Sequence, residues 1–246
     1  MPTIHELINE GWANSPEYIR QFFIHKVTDE SSFLRSYLPA GGTIADIGGG
    51  WGALCMALAA QSYKPILVDD YGDSHVSASD HRFEMLQRLE INTLRKDATQ
   101  EAAFAPNSLD GVTCIAMLEH MHHSPKPWLL KLVEALKPGG VMMIGGPNCS
   151  HILKRIRAVL GKTAWTPFDT WWHSPQFRGH VREPNAQDYV AMLENLGLKN
   201  IVLHARNFEG YQAPSKLKRL TCQMFDYPLR LRPNLCSDIY ALGIKI

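Results

Sequence analysis

Long apolar runs, a basic-then-apolar start, paired cysteines and blocks of like charge are all missing from this chain of 246 residues. No stretch approaches the roughly 20 apolar residues that a helical membrane span requires, and GVMMIGG, residues 140–146, is typical of the longest. The opening MPTIHELINE lacks a basic segment followed by an apolar core, so the expectation is a cytoplasmic protein without a secretory leader. The five cysteines, Cys55, Cys114, Cys149, Cys222 and Cys236, are odd in number and form no CxxC. They signal neither a disulfide framework nor a zinc site, and read as small buried hydrophobes. Asn148-Cys149-Ser150 matches a glycosylation sequon, which is accidental if there is no leader. No repeat or low-complexity segment is visible, and 45% hydrophobic with 20% charged residues is the balance of one soluble α/β domain with insertions.

The net charge of +1 conceals an asymmetry. Residues 1–147 carry 17 acidic and 11 basic side chains, a net of −6, whereas residues 148–246 carry 7 acidic and 14 basic, a net of +7. Either the second part is a solvated polar face, or it attracts an anionic substrate or surface.

What is present is an alternation of strand-like and helix-like segments. TIADI, PILVDD, INTLRKD, DGVTCIAML and GVMMIGG read as strands, and WGALCMALAAQ, SDHRFEMLQRLE and KPWLLKLVEALK as the helices between them. The last of these helices is stopped by Pro138-Gly139-Gly140. Such an order predicts a doubly wound, mostly parallel sheet. Residues 1–40 read as a helical cap, 41–147 as a nucleotide-binding core, 148–183 as a basic helix and aromatic lid inserted after the fifth strand, and 184–246 as a helix and strands that complete the sheet.

TIADIGGGWGAL, residues 43–54, places four glycines between a strand and a helix, where a ligand can approach the backbone at a helix N-terminus. Gly48, Gly50 and Ala53 satisfy the GxGxxA dinucleotide pattern, with Asp69 or Asp70 suited to a ribose. Asp46 argues against a pyrophosphate beside that turn and for a cationic, phosphate-free ligand.

DIGGGWG, VDD, KDAT and the block SLDGVTCIAMLEHMHHSPKPWLLKLVEALKPGGVMMIGGPN resemble, in order and spacing, the class I S-adenosylmethionine-dependent methyltransferases over residues 40–148. RGHVREPNAQDYVAMLENLGL looks, more weakly, like bacterial members that modify small molecules or glycans. The resemblance implies a Rossmann-like fold, S-adenosyl-L-methionine as cofactor and S-adenosyl-L-homocysteine as product. It implies that Asp46 sits near the methionine part, that Gly48, Gly49 and Gly50 expose the turn, and that Asp69, with Asp70 as fallback, accepts the ribose hydroxyls. Asp97 and the Ala98 backbone would face adenine, and Met117, Leu118 and His120 would line the pocket.

For the acceptor, a hydroxyl needs a general base, and histidine is the natural one. His122, His123 and His180 are the candidates, because the Glu119-His120 pair recurs in the family whatever the acceptor. A metal bound by His120, His122 and His123 is not expected, since no carboxylate cluster supports them. Trp165, Phe168, Trp171, Trp172 and Phe177 fill the lid, where Trp172, His173, Arg178 and Arg182 are candidate substrate contacts, the arginines for an anionic group. The expected reaction is methyl transfer to an oxygen, before a nitrogen, of a small molecule or sugar. The alternatives are a non-catalytic cofactor-binding protein, a nicotinamide-dependent oxidoreductase and an RNA methyltransferase, the last ranked low because no RNA-binding module is appended.

Overall fold

The computed structural model describes residues 2–72, 80–100, 104–175 and 177–246. In chain order its elements are α1 (Ile4–Gly11), α2 (Glu17–Arg35), β1 (Thr43–Ile47), α3 (Ala53–Ala60), β2 (Lys64–Asp69), α4 (His81–Arg88), β3 (Asn92–Arg95) and β4 (Leu109–Ile115). There follow α5 (Lys126–Ala135), β5 (Leu136–Pro147), α6 (Ile152–Val159), α7 (Phe168–Trp172), α8 (Ala186–Asn195), β6 (Lys199–Arg206), α9 (Lys216–Arg230) and β7 (Asp238–Ile244). Local chemistry sets several boundaries. Thr3 and Glu6 form a reciprocal capping box at α1, as do Asn185 and Asp188 at α8, and Asp80 caps α4 through the Arg82 N–H.

The strands form one seven-stranded sheet in the order β3-β2-β1-β4-β5-β7-β6. β1 to β5 run parallel, and β7 lies antiparallel to both β5 and β6. Parallel strands covered on both faces read as near-continuous apolar runs, and β1, β4 and β5 do so apart from a few polar residues such as Asp46 and Thr113. Val141, Met143, Tyr240 and Leu242 pack with α2 and α3 on one face, while Met142, Ile144, Ile239 and Ala241 pack with α5 and α8 on the other. α1 and α4 extend the first face through Leu7, Ile8, Met85 and Leu86.

Three helices depart from this plan. α6 and α7 bury no residue at all, and α9 buries only Asp226. The sequence had not shown α9, although Leu217, Leu220, Met224, Tyr227 and Leu231 repeat at helical spacing.

Candidate active site

β1 and β4 are neighbours from which the chain proceeds in opposite directions across the sheet, the switch point at which an open α/β sheet forms a crevice. A cavity of about 610 Å³ opens there at the carboxyl ends of β1 to β4, within the size range of ligand pockets. Its wall includes Gly48, Asp69, Asp70, Asp97, Ala98, Met117, His120, His122 and Arg178 from the expected set, and also Lys96, Thr99 and Ala116.

The glycine turn is built for close approach. Gly48 has φ +68°, and a Cβ there would stand 2.9 Å from the Met117 sulfur. Gly50, at φ +53°, has nothing within 4 Å of the position a Cβ would take, so the space above it is open. Its N–H donates to Asp69 Oδ2 at 2.9 Å, and the Tyr71 N–H donates to Asp69 Oδ1 at 2.8 Å. The carboxylate is thereby fixed in the cavity wall, with accepting capacity left on both oxygens. Asp97 Oδ1 accepts from the Thr99 hydroxyl at 2.6 Å and from its N–H at 2.9 Å, and these bonds hold its carboxyl below the usual range.

Asp46 occupies a different place from the one expected. It is 3% exposed and lies beneath the turn, accepting from the Thr113 hydroxyl at 2.6 Å and from the Cys55 thiol at 3.6 Å. Burial pushes its carboxyl up to about 6. Gly49 seats on it, since a Cβ there would come within 2.4 Å of Asp46 Oδ2. Leu118, likewise, is buried in the core and does not line this cavity.

The residues that follow β4 converge with the segment before α8. Ala116 has φ +55°, a left-handed conformation that alanine rarely adopts, and its N–H donates to Gly145 O at 2.8 Å. This turn starts the short helix Leu118–His120. The Glu119 carbonyl accepts the N–H groups of Val181 at 2.6 Å and Arg182 at 3.2 Å, and His120 Nδ1 lies 2.8 Å from the Arg178 carbonyl. These contacts bring His180 to His120, with ring centroids 4.9 Å apart and nearly perpendicular. His180 Nδ1 meets Glu183 Oε1 at 2.7 Å, and that hydrogen bond raises the imidazole above its ordinary pKa. Glu183 is also paired with Lys154 of α6.

Glu119 is 1% exposed, and its Oε2, like the buried Tyr189 hydroxyl, has no hydrogen-bond partner among the described residues. Both groups lie 3.2 Å from where a Cβ on Gly146 would stand, so a larger residue there would crowd them. Among the described residues, Glu119, His120 and His180 form the cluster whose ligand atoms fall within 4.8 Å of one another. His122 and His123 are exposed and lie outside it, which separates them from the His120 group that sequence adjacency suggested.

The other expected contacts are dispersed. His122 lines the cofactor-side cavity and a second cavity of about 520 Å³ formed by Trp165, Phe168, Trp171, Phe177 and His180. Trp172 stacks on Phe168 at 5.4 Å, is exposed, and lines neither cavity, and His173 lines neither as well. Arg182 pairs with Asp188 at 3.3 Å beside His123 in a third cleft. Sequence reasoning missed Glu183 as the partner of His180, although the i,i+3 spacing was visible, and it missed Ala116, whose strain has no sequence signature.

A doubly wound sheet with a carboxylate-lined, nucleoside-sized cavity at the switch point defines a Rossmann-like nucleoside-binding protein. The model of the methyltransferase domain family matches residues 18–203, and the chain belongs to the class I S-adenosylmethionine-dependent methyltransferases. Two ubiquinone biosynthesis O-methyltransferases are similar to it. That of Rickettsia akari is 27% identical over 152 residues, 61% of this chain and 57% of that protein. That of Stutzerimonas stutzeri is 35% identical over 110 residues, 44% of this chain and 46% of that protein. The chain spans about half the length of these curated relatives. A methyltransferase of Thermotoga maritima, described as a possible histamine N-methyltransferase, matches in fold with a TM-score of 0.59 at 15% identity, over 97% of this chain and 98% of that one. The cofactor is therefore S-adenosyl-L-methionine, not a nicotinamide dinucleotide. The structure adds a physical reason, because the Gly50 N–H that could meet a pyrophosphate is already given to Asp69.

Proposed function

We propose that this chain transfers the methyl group of S-adenosyl-L-methionine to a hydroxyl oxygen of a small molecule. The observation that carries this reading is the His180–Glu183 pair, held at 2.7 Å and one ring away from the cofactor cavity. The similarity to two ubiquinone biosynthesis O-methyltransferases supports oxygen as the acceptor atom.

Asp69 accepts the ribose hydroxyls with the capacity left over from its two backbone donors, and Asp70 flanks the same site. Asp97 and the Ala98 backbone face the adenine edge. Gly48, Gly50 and Ala116 keep side-chain bulk out of the path of the cofactor, and Met117 forms its apolar wall. Asp46 acts from below, where it and Gly49 set the turn. The cofactor, held there, would supply a methyl group activated on a cationic sulfur, with S-adenosyl-L-homocysteine as the product. His180 would take the proton of the acceptor hydroxyl, and Glu183 would stabilise the resulting imidazolium. His122, between the two cavities, and His123 beside it are the alternative bases. Trp171, with Trp172 on the same short helix and His173 just beyond it, encloses the acceptor side, and Arg178 attracts an anionic group on the acceptor.

The test is release of S-adenosyl-L-homocysteine from a panel of phenols, monosaccharides and amines. Turnover on a hydroxyl compound that falls in His180→Gln, with cofactor affinity kept, supports the proposal. Turnover on amines alone overturns the oxygen assignment. Cofactor binding without turnover on any acceptor establishes the non-catalytic alternative.

A further inference from the structure

α9 is inside out relative to an ordinary surface helix, which turns its apolar stripe to the core. Leu217, Leu220, Met224, Tyr227 and Leu231 repeat along one stripe and are 53–76% exposed. The inward anchor is polar instead. Asp226 is 3% exposed, accepts from the Asn207 N–H at 3.1 Å, and pairs with Arg206 and Arg230. α6 repeats the pattern, with Leu153, Ile156 and Val159 exposed by 42%, 48% and 87%. The segment after it exposes Trp165, Trp171 and Trp172 by 66%, 51% and 61%.

These elements share one edge of the sheet. Pro147, Asp238 and Arg206 are paired in register, so β5 and β6 deliver α6 and α9 to the same level, at the carboxyl ends where the cofactor cavity opens. His151, the residue before α6, meets Glu209, just beyond β6, at 3.2 Å.

The charge on this edge is predominantly positive. Residues 148–183 hold six basic and two acidic side chains, and residues 214–232 hold five basic and one acidic. Arg157, Lys162, Lys216 and Lys218 are exposed and make no ion pair among the described residues. Exposed apolar helix faces flanked by lysine and arginine, with tryptophans beside them, are the chemistry of an anionic lipid interface. A second copy of the chain laid on the same face would set positive charge against positive charge.

The geometry points to α6, α9 and the tryptophan segment as a surface that seats this protein on an anionic lipid bilayer, with the cofactor-cavity edge of the sheet towards the lipid. No helix among the described residues is long and apolar enough to cross a membrane, so the seating is peripheral. The tryptophan segment is shared with the proposed acceptor side, whereas α6 and α9 line neither the cofactor-side cavity nor the acceptor-side one.

The test is co-sedimentation of the full chain with phosphatidylcholine vesicles, with and without about one third phosphatidylglycerol. The expected result is binding to the anionic vesicles, a blue shift of tryptophan emission, and at least about tenfold weaker partitioning without the anionic lipid or at high salt. Leu220→Glu/Met224→Glu and, separately, Lys216→Glu/Lys218→Glu should each lower partitioning by about tenfold or more while leaving S-adenosyl-L-homocysteine affinity unchanged. The second pair replaces only exposed charges, so it tests the surface even if the first pair disturbs folding. Absence of partitioning to either vesicle overturns the proposal. So does a wild-type dimer in solution that the Leu220→Glu/Met224→Glu variant converts to monomer, because the stripe would then be a protein interface.

Discussion

α3 and α9 are both helices that follow a strand at the carboxyl edge of the sheet, yet they spend their apolar residues in opposite directions. α3 buries Leu54 to Ala59 without interruption and carries no charge. α9 buries one aspartate and turns five large apolar side chains outward. The same division holds for the halves of the chain, one at −6 and cofactor-binding, the other at +7 with three helices that contribute almost nothing to the core. Burial in the first half packs the glycine turn onto Asp46 and Leu67. Exposure in the second leaves an edge whose chemistry is directed outside the molecule.

The comparison breaks most sharply at the acceptor side. His180→Gln should lower kcat by about 10²- to 10⁴-fold with cofactor affinity retained, measured by product release at saturating cofactor. On stability, Leu58→Ala, in a helix packed on both β1 and β5 neighbours, should cost about 2–5 kcal/mol in denaturant titration. Leu220→Ala in α9 should cost no more than about 0.5 kcal/mol in the same measurement, and an equal cost at the two sites would erase the distinction.

Within the cofactor half, Asp69 and Asp46 are separable. Asp69→Ala should weaken S-adenosyl-L-homocysteine binding by more than about 1.5 kcal/mol in calorimetry, because charge-assisted bonds to ribose are lost. Asp46→Asn should weaken it by less than about threefold, since the residue touches Thr113 and Cys55 and asparagine can still accept from Thr113. Similar losses in the two variants would return Asp46 to the cofactor.

The smallest effect concerns pH. His180 must be neutral to accept a proton, and its hydrogen bond to Glu183 raises its pKa above 6.5. The rate should therefore rise with pH and level off only above the ordinary histidine range. In Glu183→Gln the midpoint should move to lower pH, and an unmoved midpoint would remove Glu183 from the acceptor chemistry.

The strands of the parallel half were legible because a sheet buried on both faces favours near-continuous apolar runs, and β1 begins and ends where TIADI does. Gly48 and Gly50 were legible because few other residues tolerate a positive φ at an open cavity wall. The orientation of Asp46 was not, since its position in the sequence is the same whether the carboxylate faces the ligand or Thr113, 67 residues away. α9 escaped notice in a segment with Pro228 inside it and charges at both ends, and helical spacing alone does not say which way a stripe faces.

Periodicity and glycine placement thus determined, from the sequence alone, the class of fold and the position of the glycine turn after β1, because apolar runs and turn glycines are local features of the chain. Tertiary structure alone decided that His180 rather than His122 or His123 joins His120. It also decided that Asp46 supports the turn from below and that the apolar stripe of α9 faces outward. Each depends on which distant segments are packed together, and that pairing is fixed by the whole sheet rather than by local residue order.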